Sequence, residues 1–293
     1  MPLLALVLVT AIWGFTFVQV KAALELYPLF AFLAVRFAIA SLVLAAPAAR
    51  QVRGLGRPGL GAGVLLGALL ALGYGLQTAG LERTTVSQTG FITGLYVVLT
   101  PLFALALFRQ RIGAAAWGGV ALAVAGLTLL AGVPAGSVAG DLLVLASTAA
   151  QALQIVVLER YASRYDPTTL TLVEMATACA GFLVVAAVLG ELALPRGWTV
   201  WGALLVTGVF ASAFAYLVQV WAQRRISATR IALVFSLETV FAGLFGYLLA
   251  GDRLGALGWT GCALILVGIV LAEPVTARFL ERLATRRGVA NAA

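Results

Sequence analysis

Ten apolar stretches fill this chain nearly end to end, and that leaves few folds open. They cover residues 3–22, 28–47, 62–81, 87–107, 114–131, 140–158, 168–190, 199–221, 228–250 and 255–272. Each approaches the ~20 residues a helix needs to cross the hydrocarbon of a bilayer. Of the 293 residues, 62% are hydrophobic and 10% charged, a composition that excludes a soluble globular domain. The sequence therefore predicts an all-α polytopic membrane protein of ten transmembrane helices. The first stretch reads as a span, because it lacks the basic lead and small-residue cleavage pattern of a secretory signal.

The basic residues orient the spans. One set of alternate gaps receives Arg50, Arg53, Arg57, Arg109, Arg111, Arg160 and Arg164. It also receives Arg224, Arg225, Arg230, Arg278, Arg282, Arg286 and Arg287. The other set receives only Lys21, Arg83, Arg196 and Arg253, and Arg36 lies inside a span. By the positive-inside rule both termini are expected in the cytoplasm. The net charge of +8 is then explained by topology and anionic headgroups, with no need for a nucleic-acid partner. Residues 275–293 form a basic tail, in which Arg278–Leu283 reads as a short interfacial helix or as a frayed end. Cys179 and Cys262 fall within spans and read as small buried residues. The chain has no His and no Cys/Asp/Glu cluster, so no metal or other cofactor is expected.

An internal repeat underlies the pattern. Shifted by 142 residues, Tyr74-x-x-Gln77 meets Tyr216-x-x-Gln219, and Arg111-Ile112-Gly113 meets Arg253-Leu254-Gly255. Trp117, Gly119 and Gly126 meet Trp259, Gly261 and Gly268 under the same shift. Earlier in each copy the shift falls to 138–139, where Pro28 meets Pro167 and Arg36 falls opposite Glu174. Residues 1–133 thus form one five-helix unit and 134–274 a second. Five is odd, so the copies enter the membrane from opposite sides. Such an inverted repeat around a central cavity is the plan of many secondary transporters.

Two runs carry a family resemblance. One is Ala11-Ile12-Trp13-Gly14-Phe15-Thr16-Phe17-Val18-Gln19-Val20-Lys21, followed by Pro28 and Ala34-Val35-Arg36-Phe37. The other is Arg111–Gly126, echoed at Arg253–Gly268. The chain resembles EamA-type members of the drug/metabolite transporter superfamily, and among them bacterial aromatic amino-acid exporters of the YddG type. The resemblance implies a ten-helix basket with helices 1, 3, 4, 6, 8 and 9 nearest the cavity. It also implies a bacterial inner-membrane location.

Polar groups in hydrocarbon are costly unless they face a cavity or a partner. Glu238 lies about 15 Å into its span, near the midplane, with Tyr96 as its repeat counterpart. It would meet a substrate ammonium or carry a proton; the packing alternative is a protonated acid bonded between helices. Arg36 and Glu174 lie in helices 2 and 7; Arg36 would hold a substrate carboxylate, but the resemblance places both helices at the periphery, which favours structural roles, more so for Glu174. Gln77, Gln151, Gln154 and Gln219 suit a zwitterion, and equally suit bonding between helices. Trp13, Tyr74, Tyr96, Tyr216 and Phe235 are rings on which a flat substrate would stack. Trp198, Trp201 and Trp221 read as interface residues. Pro101, matched in the repeat by Gly243, marks the expected weak points of two gating helices, or a kink that serves packing alone.

These readings converge on a secondary exporter of aromatic and other hydrophobic amino acids and similar metabolites, working by alternating access. Its partners would be the small-molecule substrate and membrane lipid, with a monomer sufficient. The alternatives are efflux of cationic drugs, and transport of nucleosides or sugars. An intramembrane enzyme has little support, since the two acids deep in spans lie on different helices with no partner motif. No G-x-x-x-x-G-K-[ST] motif is present to drive transport with ATP.

Overall fold

The computed structural model describes residues 2–84, 86–131, 137–250 and 255–272. Every apolar stretch is helical. The first repeat comprises α1 (Pro2–Leu24), α2 (Leu29–Ala48), α3 (Gly56–Leu81), a fourth span built from α4 (Val86–Gly94) and α5 (Tyr96–Phe108), and α6 (Ala114–Ala131). The second comprises α7 (Val138–Ala162) and α8 (Pro167–Val188), then an eighth span of α9 (Trp198–Leu205), a π-helical segment (Val206–Phe214) and α10 (Ala215–Gln223). A ninth span follows as α11 (Ala228–Phe235), α12 (Leu237–Phe245) and a π turn (Gly246–Ala250), and α13 (Ala256–Ala272) is the tenth. Eight of these helices are long and apolar enough to cross a bilayer, and two shorter apolar helices, Ala114–Leu129 and Ala256–Leu271, complete the set. Arg253, the tail from 275 onward and the 133/134 repeat boundary lie outside the described residues.

Local chemistry starts and stops the helices. Ser137 caps α7 by accepting a hydrogen bond from Gly140 N at 3.0 Å. Asp166 does the same for α8 through Thr169 N at 3.0 Å, and Pro167 supplies a first residue with no N–H to satisfy. The helix surfaces carry little polar pattern, because one side faces lipid and the other faces neighbouring helices. Leu42 and Val184 are exposed on the outside, while Phe32, Phe37 and Leu70 are buried within.

Packing follows the repeat. α3 lies on α7 and α8, and the eighth span lies on α1 and α2 in the equivalent way. α4 and α5 lie on α7 as α11 and α12 lie on α1. Three contacts map onto themselves: α2 with α8, α6 with α13, and the fourth span with the ninth. This exchange of partners is what a pseudo-two-fold axis in the membrane plane requires.

Glycines set the closest approaches. A Cβ on Gly126 would lie 2.5 Å from Gly261 O, and one on Gly268 would lie 2.7 Å from Gly119 O. These are the same contact made twice by α6 and α13. A Cβ on Gly67 would lie 2.5 Å from Glu174 O, and one on Gly208 would lie 3.0 Å from Arg36 O. Bare backbone thus lets α3 and the eighth span press against the two helices that carry buried charges.

The fourth and ninth spans break at repeat-related points, and these are not Pro101 and Gly243. The breaks fall at Leu95 and Ser236, about two turns earlier. Leu95 N bonds to Ile92 O at 3.1 Å, a tightened turn. Ser236 N is shared between Ala232 O and Leu233 O, and its Oγ donates to Leu233 O at 2.6 Å. A hydroxyl competing for a local carbonyl and a switch to i−3 bonding account for the break. Pro101 is accommodated inside α5.

Candidate substrate site

Connectivity gives the molecule two faces. The N-terminal face carries residue 2 and the connections at 49–55, 109–113, 163–166 and 224–227; the opposite face carries those at 25–28, 82–84 and 189–197. Between them, at mid-depth, lies a layer of aromatic rings. Trp13 packs on Tyr216 at 5.6 Å and on Phe235 at 4.8 Å between centroids. Tyr96 meets Phe235 at 6.2 Å, and Tyr74 lies between Tyr216 and Phe37. Trp13 is fixed by donating its Nε1–H to Ala211 O at 2.8 Å.

One compartment lies on each side of this layer, and Trp13 lines both. The compartment toward the opposite face is lined by Arg36, Tyr74, Gln77 and Glu238, with Phe17 and Leu81 above them. The one toward the N-terminal face is lined by Tyr96, Gln151, Gln154, Tyr216, Gln219 and Phe235. Their free volumes are ≈ 30 and ≈ 20 Å³, room for a water or two and no more. The conformation is therefore contracted, and a larger solute requires it to open. A larger cavity of ≈ 340 Å³ sits beside Leu183 and Leu194 between α2 and α8, but its lining is aliphatic apart from Tyr27, whose hydroxyl donates to Ala193 O.

The two compartments differ in charge. In the first, Arg36 donates through Nε to Ser212 Oγ at 2.8 Å and through Nη2 to Tyr74 Oη at 3.2 Å. Its guanidinium lies 4.5 Å from the Tyr74 ring centroid, a cation–π contact. Nη1 has no protein acceptor among the described residues. Glu238, in the same compartment, accepts from Tyr96 Oη at 3.1 Å. The two charges form no direct ion pair. Gln77 donates to Thr93 Oγ1 at 3.0 Å, which fixes its amide.

In the second compartment a run of amides replaces the charges. Gln219 Nε2 donates to Gln154 Oε1 at 3.1 Å and to Gln223 Oε1 at 3.2 Å. Gln154 Nε2 donates to Glu174 Oε1 at 2.6 Å, behind the wall.

Both faces are latched. On the opposite face Lys21 Nζ donates to Thr84 O at 2.8 Å, and Thr84 Oγ1 donates to Asp141 at 2.8 Å. Burial raises the Glu82 carboxyl there, with Arg83 opposing and Glu191 adding to the rise. On the N-terminal face Glu159 accepts from both Gln110 Nε2 and Ala228 N, tying α7 to α11 and to the end of α5.

All ten residues singled out as substrate-contacting line one compartment or the other, whereas Pro101 and Gly243 line neither. Arg36 departs from its expected peripheral role. Its helix is peripheral, but Gly208 lets the eighth span approach, and the long side chain reaches the cavity wall. Ser212 and the Ala211 carbonyl were not anticipated. Both are presented by the π segment, whose widened turns re-aim backbone and side chains. Among the described residues no cluster of His, Cys, Asp or Glu suits a metal ion.

A family model for EamA-like transporters matches residues 1–132 and again 138–273. The chain belongs to the EamA-like transporter family. This EamA protein is 33% identical over 272 residues to an uncharacterized transporter of Archaeoglobus fulgidus, covering 92% of this chain and 85% of that one. It is 28% identical over 293 residues to the uncharacterized inner membrane transporter YedA of Escherichia coli, with 92% of each covered. A solved crystal structure shares its fold, with a TM-score of 0.77 at 20% identity over 94% of this chain and 97% of that one. The molecule is a multi-pass membrane transporter of the drug/metabolite superfamily.

Proposed function

We propose that this transporter exports small zwitterions, foremost aromatic and other hydrophobic amino acids, through the layered central site by alternating access. One observation carries the reading. Arg36 and Glu238 face one compartment, unpaired to each other, above a floor of aromatic rings. A free guanidinium N–H suits a carboxylate, and charge-assisted bonds of this kind contribute about 1.5–3 kcal/mol. Glu238 Oε1 suits an ammonium, and Trp13 and Tyr74 suit a flat apolar side chain. The latches on both faces support a cycle through a closed state, as does the approximate equivalence of the compartments under the repeat. The arginine-rich N-terminal face is assigned to the cytoplasm and the protein to a bacterial inner membrane.

Counterflow tests this. Proteoliposomes loaded with unlabelled phenylalanine should accumulate labelled phenylalanine, in competition with leucine and tryptophan. Arg36→Gln and Glu238→Gln should each cut the rate about tenfold or more. No accumulation by folded, monodisperse wild-type protein would overturn the assignment and favour cationic or sugar-like solutes.

A further inference from the structure

We infer that Glu174 is a proton-binding site, exchanged against a cationic group that enters the compartment on the N-terminal face. The inference rests on the transport reading and adds its coupling. Glu174 is fully buried, in mid-α8. Oε1 accepts a bond from Gln154 Nε2 at 2.6 Å, and Oε2 has no partner among the described residues. An ionised carboxylate held by one neutral donor in hydrocarbon costs several kcal/mol, so the resting group is the neutral acid with its proton on Oε2.

The surroundings offer no fixed compensation. From α3, Gly67 packs on the backbone of Glu174, where a Cβ would lie 2.5 Å from its carbonyl oxygen, and brings no polar side chain. From α7 comes the Gln154 amide, and from α10 the Tyr216 hydroxyl, the titratable group in electrostatic contact. From α2 the facing atoms include Ala34 O, bonded by Cys179 of the same helix as Glu174, whereas Arg36 is engaged by Ser212 and Tyr74. From the π segment the polar group is Ser212, taken by Arg36.

Gln154 connects this acid to the compartment. Its N–H points to Glu174, so its oxygen points to Gln219. Gln219 spends its N–H groups on Gln154 and Gln223, and Gln223 spends its own on Ile155 O at 2.7 Å. The string is anchored by acceptors at both ends, which leaves Gln219 Oε1 as the group without a donor. The compartment therefore favours a donor, and a cationic one most. An arriving ammonium makes the Glu174 carboxylate affordable; the Oε2–H bond breaks, the proton passes to compartment water, and the new negative charge balances the ligand. By linkage, protonation expels the ammonium to the same degree. The repeat places Arg36 at the equivalent point, so one compartment has a fixed cation and the other a switchable anion.

Infrared difference spectroscopy on the purified full chain tests the proton first. The protonated-carboxyl absorption at about pH 7 should lose in Glu174→Gln a component that Glu238→Gln keeps; an absorption unchanged in Glu174→Gln overturns the proposal. If that variant fails to fold, Glu174→Asp should shift the band, and an unshifted band is equally adverse. Phenethylammonium, which lacks a carboxylate, should diminish the band in wild type, and an unaffected band sinks the exchange. Wild-type phenylalanine counterflow should change about fivefold or more between about pH 6 and about pH 8, and Glu174→Gln should be flat. Equal pH profiles would remove the coupling and leave the transport reading intact. Absence of phenylalanine counterflow in every variant would remove the amino-acid reading alone, with the infrared result still deciding the proton site.

Discussion

Tyr96 and Glu238 are equivalent positions of the two repeats, and they are hydrogen-bonded to each other at 3.1 Å. Two residues related by a two-fold axis can touch only where they lie on it. Tyr74 and Tyr216, also 142 residues apart, meet in the same way at 3.4 Å. The axis of the fold therefore runs through the aromatic layer, and the candidate site lies beside it. At Glu238 the symmetry is broken chemically, since one copy supplies a phenol and the other a carboxylate.

That pair gives the first prediction. Tyr96→Phe removes the hydroxyl that donates to Glu238, and its loss should weaken phenylalanine binding by about 1–3 kcal/mol. Combining it with Glu238→Gln should cost less than the two changes added separately, because the residues act together. Binding isotherms on the four proteins of this cycle measure the coupling; strict additivity would place Tyr96 outside the site.

Arg36 gives the second. Its fork serves Ser212 and Tyr74 at once and still presents Nη1. Lysine keeps the charge but cannot span these partners. Arg36→Lys should raise the phenylalanine KM about tenfold or more with a smaller change in kcat, read from initial rates in proteoliposomes. Wild-type kinetics in this variant would return Arg36 to a packing role.

The α6–α13 contact gives the third. Gly126→Val and Gly268→Val insert bulk against carbonyls at 2.5 and 2.7 Å, and overpacking of this kind costs about 1–3 kcal/mol. Both should lower thermal stability in detergent by similar amounts, because the contact is one contact made twice. Gly118→Ala on the same helix meets nothing within 4 Å and should be neutral or slightly stabilising. A marked destabilisation by the alanine change would mean that Gly118 itself makes a close packing contact, because alanine is the better helix former.

Glu82 gives the fourth, on pH. Burial raises its carboxyl above the ordinary value of 4.5, Arg83 opposing and Glu191 adding. A carboxyl raised on folding contributes stability below 4.5, and that contribution is lost as pH rises through the raised value. Glu82→Gln should therefore match or exceed wild-type Tm at neutral pH, and its advantage should shrink as the medium is acidified toward 4.5. Melting curves across that range decide it; an advantage that grows on acidification would show that Arg83 dominates.

Much of this architecture was legible from residues alone, for identifiable reasons. The spans followed from apolar run length, which the bilayer dictates directly. The partnership of Tyr96 with Glu238 was implicit in the 142-residue register. The kinks were not legible, since proline draws attention to Pro101 whereas the break at Ser236 comes from a hydroxyl competing for Leu233 O. The reach of Arg36 to the cavity wall was not legible, because the position of its helix does not fix where so long a side chain ends. The π segment carries no proline, and nothing local in Val206–Phe214 distinguishes it from ordinary helix.

That segment also shifts the register between the two copies. Gly67 and Gly208 make equivalent contacts and are 141 residues apart, yet Tyr74 and Tyr216, just beyond them, are 142 apart. The second copy thus holds one residue more than the first between these points, where the π turns lie. In a regular helix that insertion would have swung Tyr216 and Gln219 about 100° away from the cavity. Held as a wider turn, it left them in place and gave the second repeat two polar groups, Ala211 O and Ser212 Oγ, that the first has no means to offer. One extra residue thus makes two otherwise matching halves of the wall chemically unlike.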